Sequence, residues 1–90
     1  MLLKSKGIKG YMKTEFTIKL NTIKDINNFV GEMLDFESDI DAIRGRYVLN
    51  AKSVIGLFTL DLSIPLDIKI NAINEEELIR FNEVIVKYLD

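Results

Sequence analysis

The spacing of apolar residues changes repeatedly along the 90-residue chain and predicts the order of its secondary structure. Apolar residues that alternate with polar ones predict half-buried strands, whereas apolar residues three and four apart predict amphipathic helices. Strand patterns cover residues 15–20, 39–43, 47–50 and 66–72, and helical patterns cover residues 23–36, 53–62 and 74–89. The predicted order is therefore strand, helix, strand, strand, helix, strand, helix. Three helices on one face of a four-stranded antiparallel sheet would form a two-layer α+β domain.

The predicted helix starts each offer a side chain that can accept a hydrogen bond from a free backbone N–H group. These capping residues are Asn21 or Thr22, Ser53 and Asn74. Gly45 suits the turn between the second and third strands, because glycine adopts backbone angles that other residues avoid. Ser63-Ile64-Pro65 is predicted to end the second helix, since the residue before a proline disfavours helix.

Long apolar stripes run along the first and last predicted helices. The first stripe would bury Ile23, Ile26, Phe29, Val30, Met33 and Leu34, and the last would bury Leu78, Phe81, Asn82, Ile85, Tyr88 and Leu89. Gly31 lies inside the first helix, where glycine costs about 1 kcal/mol relative to alanine. We interpret Gly31 as room for a neighbouring element. Residues 75–77 are three glutamates, which we interpret as favourable charges at the positive end of the last helix.

The chain has no histidine and no cysteine, and its formal net charge is −2 at pH 7. Thiol chemistry is therefore excluded, and the charge gives no reason to expect nucleic-acid binding. No apolar run approaches the roughly 20 residues of a membrane span, so we expect a cytoplasmic protein without membrane contact. Asp39 and Asp41 share one face of a strand, but their spacing indicates a solvated surface rather than a metal site. No catalytic constellation is visible, and we expect no enzyme activity, metal or cofactor.

Residues 1–13 contain two glycines and four lysines and show little alternation. We interpret them as a flexible N-terminal extension and residues 14–90 as one folded domain. Removing residues 1–11 is therefore expected to leave the melting temperature within a few degrees of the full chain, and a large decrease would contradict this boundary.

The second predicted helix carries apolar residues on more than one face. Val54, Leu57 and Leu60 are enough to form a buried face at three-residue spacing. Ile55 and Phe58 are surplus to it and share a second face. Two readings stay open for them, since a short helix can bury such residues in the core or offer them to a protein partner.

This segment resembles the regulatory segment of the HPr family, the histidine-containing phosphocarriers of the bacterial sugar phosphotransferase system. The matching residues are Ala51-Lys52-Ser53-Val54-Ile55-Gly56-Leu57 and Thr59-Leu60, and a weaker similarity extends from about Glu15 to the C-terminus. The resemblance implies the family's open-faced sandwich fold. It also implies that Ser53 is the target of an ATP-dependent HPr kinase, and that Val54, Ile55 and Phe58 form a docking face for partner proteins.

The phosphocarrier motif of that family, Gly-(Leu/Ile)-His-Ala-Arg-Pro-Ala, is absent. The corresponding loop reads Leu20-Asn21-Thr22-Ile23-Lys24-Asp25-Ile26 and is about three residues shorter. In this register Thr22 replaces the histidine and Lys24 replaces the arginine. Threonine phosphate is a stable ester, whereas phosphohistidine passes its group on readily. The chain is thus interpreted as a degenerate member that does not transfer phosphate from phosphoenolpyruvate through Enzyme I.

We expect a non-enzymatic regulatory or adaptor protein whose partners are an HPr kinase or a transcription regulator of the catabolite-control type. The alternative is a stand-alone structural or protein-interaction module with the same fold, in which Ser53 is only a helix cap and the chain self-associates. The oligomeric state stays open at this point.

Overall fold

The structure is a computed structural model that describes residues 12–90. Its four strands and three α-helices follow the predicted order. The strands are β1 (Glu15–Ile18), β2 (Asp39–Arg44), β3 (Tyr47–Asn50) and β4 (Leu66–Asn71). The helices are α1 (Ile23–Met33), α2 (Val54–Phe58) and α3 (Glu75–Ile85), and a 3₁₀ turn at Val86–Tyr88 follows α3. The predicted extension lies, for residues 1–11, outside the described residues.

The four strands form one antiparallel sheet in the order β1-β4-β2-β3. One face of this sheet packs against the helices, which confirms the predicted two-layer α+β fold. The buried face carries Ile18 from β1, Ile40 and Ala42 from β2, and Leu66, Ile68 and Ile70 from β4. The other face is mostly polar, because strand residues alternate between the two sides.

The last residues of the chain close the sheet beside β1. The Lys19 N–H donates to the Tyr88 carbonyl at 2.9 Å, and the Asp90 N–H donates to the Thr17 carbonyl at 3.1 Å. An isolated antiparallel bridge joins Ile18 to Leu89 between these two bonds. Strand edges expose unpaired backbone groups, and the C-terminus satisfies several of those on β1.

The core stripe of α1 is narrower than the sequence predicts. Its buried members are Ile26, Phe29, Val30 and Met33, and α1 ends at Met33 rather than at Phe36. The prediction that Ile23 and Leu34 are core residues is wrong, because these side chains are 66% and 61% exposed. Both lie at the ends of α1, Ile23 in its first turn and Leu34 at its C-cap, outside the buried stripe that runs from Ile26 to Met33. Leu89, predicted to be buried, is also largely exposed.

The α2 helix ends at Phe58, so the prediction that it continues to Leu62 is wrong. Thr59 is the reason: its hydroxyl donates to the Gly56 carbonyl at 2.6 Å, and its own N–H donates to the same carbonyl. The Leu60 N–H likewise bonds three residues back, to Leu57. These bonds tighten the last turn and leave residues 59–65 as a loop, well before Pro65 can act.

Two glycines have different roles. Gly45 has a φ of +59°, which confirms the predicted glycine turn between β2 and β3. Gly31 was interpreted as room for a neighbour, and this is wrong, because a Cβ atom built there would meet nothing within 4 Å. Gly31 therefore has no steric role among the described residues.

A buried carboxylate that no sequence pattern indicated, Glu77, holds the loop after α1 against α3. Glu77 accepts hydrogen bonds from the Ser38 N–H at 2.9 Å and the Ser38 hydroxyl at 2.6 Å, from the Glu37 N–H at 3.3 Å, and from Arg80 at 3.0 Å. The Ser38 oxygen in turn accepts from the Ile73 N–H. Burial alone raises the pKa of the Glu77 carboxyl, but these bonds outweigh it and hold the pKa below its usual value.

Candidate functional site

Thr22 and Asp25 close the N-terminus of α1 with reciprocal hydrogen bonds. The Thr22 hydroxyl oxygen accepts from the Asp25 N–H at 3.0 Å, and an Asp25 carboxylate oxygen accepts from the Thr22 N–H at 3.1 Å. The same carboxylate oxygen accepts from the Asn21 N–H at 2.9 Å. This is a capping box, and it gives the loop amides an anionic partner from within the chain.

Thr22 and Lys24, which the family resemblance aligns with the phosphocarrier histidine and arginine, both lie at this helix start. Thr22 is the N-cap itself, and one lone pair of its oxygen is used by the cap. Lys24 is exposed and makes no hydrogen bond or ion pair with the rest of residues 12–90. The helix start therefore presents a threonine hydroxyl and an exposed lysine ammonium group.

Ser53 caps α2, as its position before the apolar run predicts. Its hydroxyl oxygen accepts from the Gly56 N–H at 3.1 Å, and the side chain is half-buried. A Cβ atom on Gly56 would lie 3.2 Å from that oxygen, so glycine lets the helix turn approach the serine closely. The neighbouring Lys52 donates through Nζ to the Phe36 carbonyl at 2.6 Å. Ser53 is thus held in one place between a buried alanine, Ala51, and the first turn of α2.

The apolar residues that follow Ser53 divide between core and surface. Leu57 is fully buried, and Val54 is partly buried against the core. Ile55 is 75% exposed and Phe58 is 49% exposed. The structure thus places Ile55 and Phe58 on the surface of α2, whereas Val54 packs against the core.

Phe58 borders a cleft between the start of α1 and the end of α2. We call this the apolar cleft; it has a volume of about 260 Å³. Its apolar lining consists of Leu20, Ile23, Ile26, Phe58, Leu60 and Leu62, and Asn21 and Thr22 complete it. The cleft brings two predicted site residues together, Thr22 and Phe58. Ser53, Lys24 and Ile55 lie outside its lining.

Six of the eight residues that line the cleft were not predicted as site residues, among them Ile23, Leu60 and Leu62. Ile23 was assigned to a core stripe, and Leu60 and Leu62 were assigned to a helix that ends earlier. The apolar excess in residues 54–62 was the available signal. It could not indicate which of those residues meet α1, because that depends on where α2 stops.

A polar pocket shares Asn21 with the apolar cleft and contains the carboxylate of Glu32. Glu32 accepts hydrogen bonds from the Tyr88 hydroxyl and from Lys87 Nζ, the latter at 2.5 Å. Burial raises the pKa of the Glu32 carboxyl, but these partners outweigh it and leave the pKa lowered. Burial and the neighbouring carboxylate raise the pKa of Tyr88. These pKa directions keep Glu32 ionised and Tyr88 neutral near pH 7, and the hydrogen bond between the two side chains ties α1 to the C-terminus.

Residues 12–90 contain no group of three or more acidic, histidine or cysteine side chains arranged to hold a metal ion. In the same range no helix is both long and apolar enough to cross a membrane.

Comparison with known proteins shows a similarity to a solved structure. No protein-family model matches the chain, and no curated protein matches it. A solved structure described as "HPr-C-His from Thermoanaerobacter tengcongensis" is similar, with a TM-score of 0.66 and 26% sequence identity. The alignment covers 83% of this chain and 92% of that one. The chain therefore has an HPr-like fold.

Proposed function

With an HPr-like fold as the premise, we propose that this chain is a non-enzymatic regulatory or adaptor protein related to the bacterial phosphotransferase system. It binds protein partners through the exposed side of α2 and does not relay phosphoryl groups. The observation that carries this proposal is the capping box at α1. Thr22 occupies the helix start, and the Asp25 carboxylate already bonds the loop amides that an incoming phosphate would need.

Phosphotransfer is opposed by chemistry as well as by geometry. An incoming phosphate would meet the Asp25 charge, and like charges within a few ångströms disfavour each other. Thr22 would form a stable phosphate ester rather than a reactive phosphoramidate. Incubation with Enzyme I and labelled phosphoenolpyruvate should leave this protein unlabelled while a histidine-containing phosphocarrier is labelled in the same reaction. Label on this protein would refute the proposal.

Two variants separate the contributions of these residues. Thr22→His supplies the nitrogen but leaves the Asp25 carboxylate on the loop amides, so we expect little labelling. Thr22→His combined with Asp25→Ala frees those amides and should be labelled more. Equal labelling of both variants would show that the Asp25 carboxylate does not oppose phosphate.

Ser53 is the proposed point of regulation. Its half-buried hydroxyl stands at a helix start, where added phosphate changes the charge of the docking face by roughly −1.5 to −2. Incubation with an HPr kinase and ATP, followed by mass spectrometry, should place one phosphate on Ser53 and none on a Ser53→Ala variant. Capture with both forms then tests the proposed partner, a regulator of the catabolite-control type.

The docking face is tested by charge substitution. Ile55→Glu and Phe58→Glu should keep the folded spectrum and weaken partner capture, because an ionised group cannot be buried in an apolar contact. Val86→Glu is the matched control, since Val86 is 61% exposed and belongs neither to the docking face nor to the apolar cleft. If Phe58→Glu unfolds the protein, Phe58 is a core residue.

A second candidate function is a stand-alone interaction module in which Ser53 only caps α2. The observation that favours it is the Ser53 cap itself, because the hydroxyl oxygen already has a structural partner in the Gly56 N–H. This alternative predicts that a kinase leaves Ser53 unmodified, and that light scattering detects a dimer which Ile55→Glu or Phe58→Glu dissociates.

A further inference from the structure

The two edges of the sheet differ in how the chain covers them. β1, at one edge, is bonded by the C-terminal residues, whereas β3 is the last strand at the other edge. Among residues 12–90, no strand pairs with the outer edge of β3. Proteins often interrupt such an edge with a proline or a charged side chain, because its unpaired backbone groups bind other strands. The four residues of β3 are Tyr-Val-Leu-Asn and include neither.

The backbone groups that β3 turns outward follow from its pairing with β2. The Ala51 N–H donates to the Ile40 carbonyl at 2.9 Å, in the register that continues the ladder between the two strands. Residues that bond across an antiparallel ladder alternate with residues whose backbone groups point away from it. Leu49 therefore bonds to β2, whereas Val48 and Asn50 direct their backbone groups to the outer edge.

Two antiparallel copies of β3 complement each other when a two-fold axis passes beside Val48. The Val48 N–H of each copy then donates to the Val48 carbonyl of the other, and Tyr47 lies opposite Leu49 of the second copy. Val48 and Tyr47 are 60% and 64% exposed, so the pairing covers the apolar groups that β3 leaves in water. The same edge thus supplies both sides of the contact.

The charges at the two ends of β3 favour this antiparallel orientation. Arg46 stands just before β3, and Asp41 pairs with Asn50 at its far end. Antiparallel pairing brings Arg46 of each copy to the Asp41–Asn50 pair of the other, whereas parallel pairing would place the two Arg46 side chains together. Two lysines lie near that far end. Lys52 donates to a carbonyl of the loop after α1 at 2.6 Å, and Lys69 lies in β4, two strands from the outer edge.

We propose that the outer edge of β3 pairs with the same edge of a second copy of this chain, antiparallel about a two-fold axis at Val48. The two four-stranded sheets then form one continuous sheet. A strand of four residues makes a small interface, and small interfaces give weak, transient complexes. The dimer should therefore form between micromolar and millimolar protein. This inference goes beyond the proposed function, because it needs neither a kinase nor a regulator and uses a different element from α2.

The first test follows amide hydrogen exchange of the full chain by NMR as the protein concentration is raised. The Val48 and Asn50 amides should exchange quickly in dilute solution and become about tenfold slower as the dimer forms. The Leu49 amide should be slow at every concentration, because it bonds within the hairpin. Sedimentation should show the mass rising from one copy to two over the same range. A Val48 amide that is slow at every concentration would overturn the proposal, because residues 1–11 of the same chain would then cover the edge.

Charge at position 48 tests the two-fold register. Val48→Lys should weaken the dimer by about tenfold, because two like charges then stand directly opposite each other. Val48→Glu should do the same, and an equal mixture of the two variants should restore the dimer, because lysine then faces glutamate. Val86→Lys is the matched control: Val86 is 61% exposed and lies outside the sheet, so dimerisation should be unchanged. Circular dichroism checks that each variant is folded.

A full chain that remains a single copy at millimolar concentration overturns the proposal. A dimer that Ile55→Glu dissociates and Val48→Lys leaves intact also overturns it, since that dimer would use α2. If the mixture of Val48→Lys and Val48→Glu stays as dissociated as either variant alone, Val48 does not face its own copy. None of these measurements involves phosphate on Ser53 or Enzyme I, so the proposed function succeeds or fails separately.

Discussion

Glu77 shows how a single carboxylate can join two segments that are forty residues apart. It is buried, yet its oxygens accept bonds from two backbone N–H groups, the Ser38 hydroxyl and Arg80. The Arg80 guanidinium also lies 4.1 Å above the Phe36 ring, which packs edge-on against Phe81. The buried charge of Glu77 is tolerated because these four hydrogen bonds replace the water that the carboxylate loses on burial.

Replacing Glu77 by glutamine should therefore be costly although the two side chains have the same shape. The amide loses the charge, and its NH₂ group would face donors in place of an acceptor. We expect a loss of about 1.5–3 kcal/mol in the free energy of unfolding, measured with urea. Glu76→Gln is the control, because Glu76 is exposed in the same helix turn and should change stability little. Equal effects of the two substitutions would contradict this account of Glu77.

Stability should fall in acid because the pKa values of Glu77 and Glu32 are lowered in the folded state. A carboxyl with a lower folded pKa contributes its full stabilisation above its ordinary value of 4.5. That stabilisation is lost as the pH falls through the folded values. Urea midpoints measured from pH 7 to pH 3 should decrease below about pH 4.5, and the decrease should be smaller for Glu77→Gln. A midpoint that stays constant to pH 3 would contradict the lowered pKa values.

Individual residues differ in how far the sequence predicts them. Ser53 and Asn74 were identified as caps, and Thr22 as one of two candidates beside Asn21, because capping depends on the few residues that follow. Glu77 was missed because its partners, Ser38 and the Glu37 amide, are distant in sequence. Three consecutive glutamates at a helix start give no local sign that the third is buried.

Among the elements, α2 shows where a hydrophobic pattern misleads. Apolar residues continue at helical spacing to Leu62, but Thr59 redirects the backbone through its bond to Gly56. The hydrophobic pattern indicates that Leu60 and Leu62 lie near the core, but it does not indicate the backbone conformation of the loop that carries them. The apolar cleft depends on that conformation. The sequence therefore predicted Phe58 as a site residue but could not predict the rest of the lining.

Gly31 offers a test of helix propensity within α1. The position is exposed and helical, and an added methyl group meets nothing within 4 Å. Gly31→Ala should raise the free energy of unfolding by about 0.5–1 kcal/mol, since alanine loses less backbone entropy in a helix. The measurement is again urea unfolding. Gly45→Ala provides the contrast, because its φ of +59° is strained for alanine and should give destabilisation. Destabilisation by Gly31→Ala would show a steric role that the structure does not contain.

At the scale of the whole molecule, the order of the elements was predictable because the spacing of apolar residues that marks each helix or strand lies within that element. The order of the strands in the sheet was not predicted, because the family resemblance implied only the open-faced sandwich fold, which the similar solved structure supports. The pairing of the C-terminus with β1 had no sequence signal. Residues 86–89 were predicted as the end of a helix, whereas α3 ends at Ile85 and Leu89 bridges to Ile18.

Tyr88 connects that C-terminus to the rest of the fold. Its ring packs edge-on against Phe29 with centroids 5.2 Å apart, its hydroxyl bonds Glu32, and its carbonyl accepts from the Lys19 N–H. Removing the ring should therefore affect α1, β1 and the C-terminus together. A chain of this size has a total stability of about 5–15 kcal/mol, so one buried aromatic residue is a large part of it.

Tyr88→Ala should lower the free energy of unfolding by about 3–5 kcal/mol, the usual cost of truncating a buried aromatic ring. Tyr88→Phe should cost much less, because it keeps the ring and loses only the hydroxyl bond to Glu32. Tyr47→Ala is the matched control, since Tyr47 is 64% exposed at the end of β3 and should have a small effect.

Urea unfolding of all three variants should be followed by circular dichroism and by methyl NMR of Ile18 and Met33. Coincident transitions would show that Tyr88 stabilises one cooperative unit. Loss of the Ile18 signals alone, at an unchanged global midpoint, would instead show that the pairing of Ile18 with Leu89 is a local attachment.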